Sequence, residues 1–532
     1  MSSNARAKTL PARLWRWTRF ALKWSLLLTG AVAALFAILA AVPQAPLSIP
    51  RPVEHAVIRH VGVVDVVEGV VRPQMRVEIR AGKIVSVTSE TDQAPAEGAR
   101  IIDARGKFLI PGLWDTHVHH WFDVSAYLHS PLYVAHGVTQ VRDMGSCANE
   151  DAPFMSCGGI KREWSAAADK GQMIGPRIFR IGSFPIEIEG HANRGLDAYL
   201  TPSTPALARD LLGRVGERQW DFVKIYNRVP RDVYFALMNE ANARGIEVSG
   251  HLPFAIGLDE AVAAGQRSVE HATALPIACS NAGRTLRERG PGTKPIEILR
   301  EAVMSPQDEQ CKQLLKAMAT RGTWYVPTHV TRRFEANADD PVFLEDERLR
   351  YIALPWRIVW WLDARRMQRR VAEAGDPQLL RKFHQRGLAL TGEAHRAGVP
   401  ILAGTDAPDA YAFPGSGLHD ELQELVRAGM SPADALRSAT LLPAKYAGRE
   451  RESGSIDAGK LADLVLLSGD PLRDIGNTRK IEMVVMGGRI YERAHLNQML
   501  DFVERKASSV AVFCRTTWRL LRSQEFRNMF DD

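Results

Sequence analysis

The main body of this sequence lacks an excess of charge of either sign. The formal net charge of the 532 residues is +7. Six cations lie in residues 1–23, ahead of any acidic residue, and they are Arg6, Lys8, Arg13, Arg16, Arg19 and Lys23. Removing these six from +7 leaves +1. Because a pronounced basic face is the electrostatic signature of nucleic-acid binding, we expect no nucleic-acid partner.

Charged residues are missing altogether from the nineteen residues Trp24–Val42. This length matches one helical crossing of the hydrocarbon core of a bilayer. A cleaved signal peptide has a shorter apolar core and a small-x-small cleavage site, and no clear site precedes Pro43. The stretch therefore favours a transmembrane anchor, with a cleaved signal or a buried helix of a soluble protein as alternatives. The basic residues 1–23 then stay cytoplasmic, and the chain from 43 onward lies on the outer, periplasmic or extracellular, side.

Cysteine is scarce, with five in the chain. Cys147 and Cys157 lie ten residues apart, and Cys279 and Cys311 bracket a polar segment. Both pairs could be disulfides in an oxidising compartment, with Cys514 left over. A cytosolic enzyme could equally carry five cysteines, so the sequence leaves the pairing open.

Residues 43–52 are rich in proline and are expected to form an extended spacer. Residues 53–107, which follow, have no helical pattern, and their many β-branched residues predict β-strands. From residue 108 short apolar strands alternate with helical stretches. Eight strands are predicted, at 108–113, 137–145, 177–186, 221–226, 245–252, 267–272, 323–330 and 399–407. This alternation predicts an α/β fold, a (β/α)8 TIM barrel over 108–448 with its active site at the carboxyl ends of the strands.

The β pattern returns at residues 449–493, so we expect one small composite β-sandwich domain built from 53–107 and 449–493. Residues 494–532 have the pattern of a helical tail, for which packing on the protein is favoured over a membrane-surface role. The segments 278–319 and 340–395 are longer than plain crossovers and are expected to shape the pocket. The cluster of Trp356, Trp360, Trp361 and Arg365 fits a lid, core packing or a membrane contact.

Polar side chains with metal-binding capacity stand at the predicted strand ends. His117 and His119 point to the same side of an extended chain, although a bare H-x-H pair is a weak signal. Lys224, His251, His271 and Asp406 follow at the carboxyl ends of predicted strands four, five, six and eight. Six such residues at the end of a barrel where enzymes place their chemistry predict a metal centre.

The motifs PGLWDTHVH, GVTQVRDMG, VKIY, VEHA and AGTDA resemble the metal-dependent amidohydrolase superfamily over residues 53–493. The matching subgroup includes imidazolonepropionase-like proteins and prolidase-like Xaa-Arg/Lys carboxypeptidases. The resemblance implies two divalent metal ions, zinc being expected, and a CO2-derived carbamate on Lys224 that bridges them. It assigns the more buried metal to His117, His119 and Asp406 and the more exposed one to His251 and His271.

The same resemblance implies hydrolysis of amide or peptide C–N bonds, in dipeptides or N-acyl amino acids, by a hydroxide shared between the metals. Asp406 would pass the proton to the leaving nitrogen. His191 and Tyr226 correspond to positions that bind the carboxylate end of the substrate, although Glu189 and Ala192 depart from the Gly-Gly-His-Gly element of the subgroup.

Three alternatives stay open at this point. A cyclic-amide or lactone hydrolase, or a deaminase, could use the same fold, and a catalytically silent membrane scaffold is a third possibility. The sequence contains no signal for an oligomeric state.

Overall fold

The computed structural model describes residues 10–42, 47–91, 97–148, 155–187, 196–197, 200–290 and 293–523. The strands in these ranges are β1 (His55–Asp65), β2 (Val70–Arg80), β3 (Lys83–Ser89), β4 (Arg100–Asp103), β5 (Phe108–Pro111), β6 (Leu113–Val118), β7 (Val138–Asp143), β8 (Arg177–Ile181), β9 (Phe222–Ile225), β10 (Glu247–Gly250), β11 (Ser268–Glu270), β12 (Trp324–Val326), β13 (Leu464–Leu467), β14 (Ile481–Met486) and β15 (Arg489–Glu492).

The helices are α1 (Leu10–Ala41), α2 (Val124–Ala135), α3 (Gly158–Lys170), α4 (Pro205–Gly213), α5 (Arg231–Arg244), α6 (Leu258–Ala263), α7 (Ala274–Ala278), α8 (Asn281–Arg289), α9 (Pro295–Met304), α10 (Asp308–Arg321), α11 (His329–Ala336), α12 (Pro341–Leu344), α13 (Leu354–Ala374), α14 (Leu379–Arg396), α15 (Ser416–Arg427), α16 (Pro432–Ser438), α17 (Leu441–Tyr446), α18 (Arg493–Ala507) and α19 (Val510–Arg522). Two 3-10 turns, Glu347–Tyr351 and Ile475–Arg479, complete the regular structure of the described residues.

One large mixed sheet draws strands from both sides of the central part of the chain. Its order is β15-β14-β13-β5-β1-β2-β3, with β4 paired to β1. β5 lies between β1 and β13, parallel to the first and antiparallel to the second. Strands from residues 55–111 and from residues 464–492 are therefore hydrogen-bonded into one sheet. Ile58, Val77, Leu109, Leu464 and Val485 form part of the core on this sheet. The sheet therefore joins the segments before and after residues 113–463.

The central strands pair only in parallel. β6, β7 and β8 form one sheet, and β9, β10, β11 and β12 form another. Isolated parallel bridges continue this pairing, from Gly182 to Phe222, from Tyr325 to Ile401 and from Ala407 to Val118. Every residue of β6, β7, β9, β11 and β12 is buried, as expected for strands covered on both faces.

The strand predicted over 108–113, with its break at Pro111-Gly112, covers β5 and the first residue of β6, which belong to different sheets. β5 ends at Pro111, which has no amide hydrogen to donate. The next amide, of Gly112, donates to the carbonyl of Asp463, and that of Leu113 donates to the carbonyl of Gly137. A Cβ atom at Gly112 would meet the side chain of Thr139, so only glycine fits where the chain passes from one sheet into the other.

The helix α1 contains a stretch, Trp15–Ala41, that is long and apolar enough to cross a membrane. A signal sequence near an N-terminus passes the same test. None of this stretch is buried within the protein. α1 packs along α19, where the rings of Phe36 and Trp518 lie 6.4 Å apart. α19 in turn buries Val512 and Leu520 against the rest of the protein.

Both cysteine pairs that the sequence left open are disulfides. Cys147 is bonded to Cys157, and Cys279 to Cys311. Cys514 is a buried free thiol in α19.

Candidate metal centre

Five of the six proposed ligands lie within or directly after parallel strands. His117 lies in β6, His119 follows it, and Lys224 lies in β9. His251 follows β10 and His271 follows β11. The sixth, Asp406, lies beside Ala407, which pairs with the end of β6. Since the carboxyl ends of neighbouring parallel strands meet at one edge, these side chains converge.

The carboxylate of Asp406 is the point where three imidazoles meet. Its Oδ1 lies 3.3 Å from Nε2 of His117 and 3.0 Å from Nε2 of His119. Its Oδ2 lies 3.6 Å from Nδ1 of His271. One ligand atom each from His117, His271 and Asp406 lie within 4.8 Å of one another, close enough to hold a single ion.

His251 and Lys224 extend the cluster on its other side. The ring centroids of His251 and His271 lie 4.4 Å apart. Nζ of Lys224 lies 3.5 Å from Nε2 of His117, and the lysine is only 2% exposed. Burial disfavours the ammonium form and lowers the pKa of Lys224. All six proposed ligands are thus brought together.

The protonation states of the cluster suit a cation. Burial lowers the pKa of His119 to about 4, and it lowers the pKa values of His251 and His271 well below the usual range. Burial alone would raise the pKa of Asp406, but His117 and His271 hold it well below its usual range. Neutral imidazoles beside an ionised carboxylate offer lone pairs and a negative charge together.

Two buried ring nitrogens of the proposed ligands have no hydrogen-bond partner among the described residues. They are Nδ1 of His119 and Nε2 of His271. A buried polar atom without a partner is costly, and a metal ion in the cluster would satisfy Nε2 of His271. In His119 it is the other nitrogen, Nε2, that faces Asp406. Imidazole and carboxylate ligands suit zinc and similar divalent ions, so the residues fit the metal that the resemblance implies.

A second layer of residues, which the sequence reasoning missed, orients the ligands. Nδ1 of His117 lies 2.8 Å from Oε2 of Glu270, whose Oε1 accepts a hydrogen bond of 2.8 Å from Arg142. Burial would raise the pKa of Glu270, but Arg142 and His117 hold it at about 2. Both residues lie in the sequence motifs that carry the proposed ligands, where their role could have been predicted. Glu270 directly precedes His271 in VEHA, and Arg142 lies in GVTQVRDMG.

Two further histidines of the centre, His251 and His271, are oriented by neutral partners. Nδ1 of His251 lies 2.9 Å from Oδ1 of Asn227, and Nδ1 of His271 lies 3.0 Å from Oγ1 of Thr328. Such contacts fix ring orientation in metal sites. No spacing in the sequence pointed to Thr328, since it is 57 residues from His271.

Three residues of the site have left-handed backbone conformations. The φ angles are 71° at His271, 63° at Asp406 and 47° at Thr328. A residue other than glycine rarely adopts positive φ, and the conformation costs free energy. Strained backbone concentrates at functional sites, and here it occurs at two of the proposed ligands.

Of the two proposed substrate-binding residues, the structure describes one. The ring of Tyr226 lies 4.0 Å from that of His251 and lines the same cavity. Burial raises the pKa of Tyr226, so the phenol stays protonated. His191, with Glu189 and Ala192, lies outside the described residues.

A cavity of about 780 Å³ opens over the centre. The ligands His119, Lys224, His251, His271 and Asp406 lie on its wall. The predicted pocket-shaping segments 278–319 and 340–395 supply much of the rest, including Leu286, Ile298, Trp356 and Trp360. Of the tryptophan cluster, Trp356 and Trp360 are buried at the cavity while Trp361 is 52% exposed.

Comparison with known proteins places the chain in a family. The model of the amidohydrolase family matches residues 108–491, and the chain belongs to that family. Ochratoxinase of Aspergillus niger is 23% identical over 444 residues, which cover 77% of this chain and 81% of that protein. An uncharacterized protein of Mycobacterium tuberculosis is 30% identical over 112 residues. That match spans 21% of this chain and only 29% of the relative's length.

Solved structures share the fold at low identity. A bottromycin amidohydrolase superposes with a TM-score of 0.66 at 21% identity, covering 89% of this chain and 93% of that one. A Xaa-Pro dipeptidase with bound methionine superposes with a TM-score of 0.58 at 21% identity, covering 82% of this chain and all of that one. The family resemblance drawn from the five sequence motifs is thereby confirmed, with prolidase-like enzymes among the structural neighbours.

Proposed function

We propose that the protein is a binuclear metal-dependent hydrolase that cleaves an amide or peptide C–N bond in a dipeptide or an N-acyl amino acid. The observation that carries the proposal is the convergence of four imidazoles, one carboxylate and one buried lysine in one cluster, five of whose six side chains line a single cavity. The central parallel strands and their connecting bridges support a (β/α)8 barrel with this cluster at its carboxyl end.

Each ligand has a proposed place. His117, His119 and Asp406 would hold the more buried ion, because His117 is fully buried and His119 and Asp406 adjoin it. His251 and His271 would hold the second ion nearer the cavity. When bound, divalent ions such as zinc supply a water of lowered pKa and polarise the amide carbonyl.

Lys224 would join the two halves of the centre. Burial lowers its pKa and so favours the neutral amine, which can add CO2 to form a carbamate. An ammonium cannot ligate a cation, whereas a carbamate has two anionic oxygens. The position of Nζ beside His117 supports this bridging role.

Asp406 has the proton-transfer role in the proposal. Its carboxylate is ionised and lies among the ligands, so it can accept a proton from the attacking water and deliver it to the leaving nitrogen. The products are a carboxylate and an amine. Asp409, whose pKa is raised to about 7 by burial and by the charge of Asp406, also lines the cavity.

Tyr226 would bind the carboxylate end of the substrate. Its protonated hydroxyl is a hydrogen-bond donor, and its ring adjoins His251 at the cavity wall. His191 has the same proposed role on the basis of the sequence alone.

We also propose that α1 anchors the protein and that the catalytic part lies on the outer side of the membrane. Two disulfides support an oxidising compartment on that side. The membrane and a small amide or dipeptide are then the partners of the chain.

The proposal is tested by metal analysis of the purified full chain and by hydrolysis assays with dipeptides and N-acyl amino acids. We expect two equivalents of a divalent metal and release of a free amino acid. Metal-free protein that shows no turnover after loading with zinc and bicarbonate would contradict the proposal.

A further inference from the structure

The cavity extends well beyond the candidate metal centre, and one set of its lining side chains is apolar. This set, called the apolar arm below, is Ile277, Leu286, Ile298, Leu299, Val359 and Trp360, while charged side chains such as Arg287, Asp363 and Arg370 line the same cavity. These residues belong to or adjoin α7, α8, α9 and α13. The metal ligands and the apolar arm line one continuous cavity of about 780 Å³.

The apolar arm is built from packed side chains. Leu286 and Ile298 are 5% and 4% exposed and pack with Phe383 in one core cluster. Trp360 is 2% exposed and packs against Tyr411 and Phe413. Because its walls are held by neighbouring helices, the arm is a preformed apolar space. A substrate with only a small group beyond the amide would leave it filled by water.

Resting on the proposed function, we propose that the substrate is an amide whose acyl group carries a long linear apolar chain. A fatty N-acyl amino acid is the class that fits. The amide lies at Lys224, His271 and Asp406, and the chain lies in the apolar arm. Each methylene that leaves water in the arm raises affinity roughly fourfold, until the arm is filled.

The test compares N-acetyl-, N-octanoyl- and N-lauroyl-glycine on the full chain in lipid nanodiscs, with titration of empty nanodiscs subtracted. Both binding and kcat/KM are measured. We expect both to rise steeply with chain length. The variant Leu299→Trp, which narrows the arm, should remove most of this rise.

Met304→Trp is the matched control, since Met304 lies on the same helix, α9, and is 72% exposed. The inference is overturned if the affinity of the wild type does not depend on the length of the acyl chain. It is also overturned if affinity rises with acyl-chain length as much in Leu299→Trp as in the wild type. Binding that strengthens with acyl-chain length but is not followed by hydrolysis would support the apolar arm as a binding site and contradict the proposed function.

A different observation, on the outer surface of α13, carries a second inference. Leu354, Ile358 and Trp361 recur at helical spacing and are 49%, 48% and 52% exposed. The guanidinium group of Arg365 lies 5.1 Å from the ring of Trp361. α19, which contacts α13, repeats the arrangement, with Trp518 42% exposed and Arg522 5.8 Å from its ring.

We infer that α13 and α19 rest on the lipid surface. The surface is continuous with α1, because Phe36 of α1 packs on Trp518 of α19. Tryptophan is enriched at the boundary between hydrocarbon and headgroups, and arginine pairs with lipid phosphate. Trp360 faces the cavity one residue before the exposed Trp361, so one helix separates the apolar arm from the bilayer.

The test labels Ile358→Cys with bimane, in a Cys514→Ala background, on the full chain in nanodiscs that contain brominated lipids. We expect at least twofold quenching relative to nanodiscs of ordinary lipid. Val67→Cys, on the turn after β1 and 53% exposed, is the control and should keep its fluorescence. Equal fluorescence change at the two positions overturns the inference.

Discussion

Nδ1 of His117 and Oε2 of Glu270 lie 2.8 Å apart, and both side chains are fully buried. The contact orients His117 so that Nε2 points at Asp406 and Lys224. A carboxylate on the far nitrogen of a metal-binding histidine raises the basicity of the ligand. The pair therefore sets both the direction and the strength of one ligand of the proposed centre.

We expect Glu270→Gln to lower metal affinity by about 10–100-fold, the usual effect of losing such a partner. Competition with a chelator of known affinity measures the change. The variant also leaves Arg142 without its buried charge partner, so thermal unfolding of the metal-free protein must be recorded alongside. Glu78→Gln is the matched control, because it breaks another His–Glu contact, of 2.9 Å to His55, in the large mixed sheet. Unchanged affinity in Glu270→Gln would show that His117 is oriented without Glu270.

Gly404 allows the segment that carries Asp406 to approach His117. A Cβ atom at this position would lie 2.7 Å from Cβ and 3.0 Å from the backbone nitrogen of His117. We expect Gly404→Ala to cost about 1–3 kcal/mol of unfolding free energy, as overpacking does, and to reduce metal content. Denaturant unfolding and metal analysis measure the two effects.

Gly417→Ala is the control for this substitution, because its Cβ would meet only ordinary van der Waals contacts, the nearest at 3.6 Å from Thr405. A similar effect in both variants would refute the close-approach argument.

The sequence predicted the proposed ligands because each follows an apolar strand, and periodicity shows where a strand ends. It could not separate β5 from β6, since both halves of FLIPGL are equally apolar and only the pairing partners differ. It also missed Thr328 and Asn227, whose roles depend on contacts across the fold. The positive φ angles of His271 and Asp406 have no sequence signal either, because neither position is glycine.

Asp420 on α15 is predicted to make stability depend on acid pH. Burial would raise its pKa, but Arg348, Arg479 and Arg333 hold it at about 2, below the unfolded value near 4. A lowered folded pKa stabilises the protein above the unfolded pKa, and the contribution is lost as the pH falls from about 4 to about 2. Two pKa units correspond to roughly 2–3 kcal/mol.

This contribution is measured as the difference in unfolding free energy between wild type and Asp420→Asn, at pH 7 and at pH 2.5. We expect the difference to shrink at the lower pH. Lys382 also lowers the pKa of Asp376, but this pair is exposed and screened by solvent, so Asp376→Asn should show a much smaller dependence. A difference for Asp420→Asn that stays constant with pH would contradict the assigned ionisation.

Lys224 separates the binuclear proposal from the alternatives on the same fold. Lys224→Ala should reduce bound metal from two ions to one and abolish turnover, because the bridge is lost. Wild-type protein incubated with 13C-bicarbonate should show a carbamate carbon signal that is absent from the variant. Burial lowers the pKa of Lys161 as well, but its Nζ lies 2.7 Å from the carboxylate of Asp143, which favours the ammonium form, so we expect no second signal from it. Full activity in Lys224→Ala would contradict the bridging role and favour a single-metal reaction, such as deamination, at the remaining ligands.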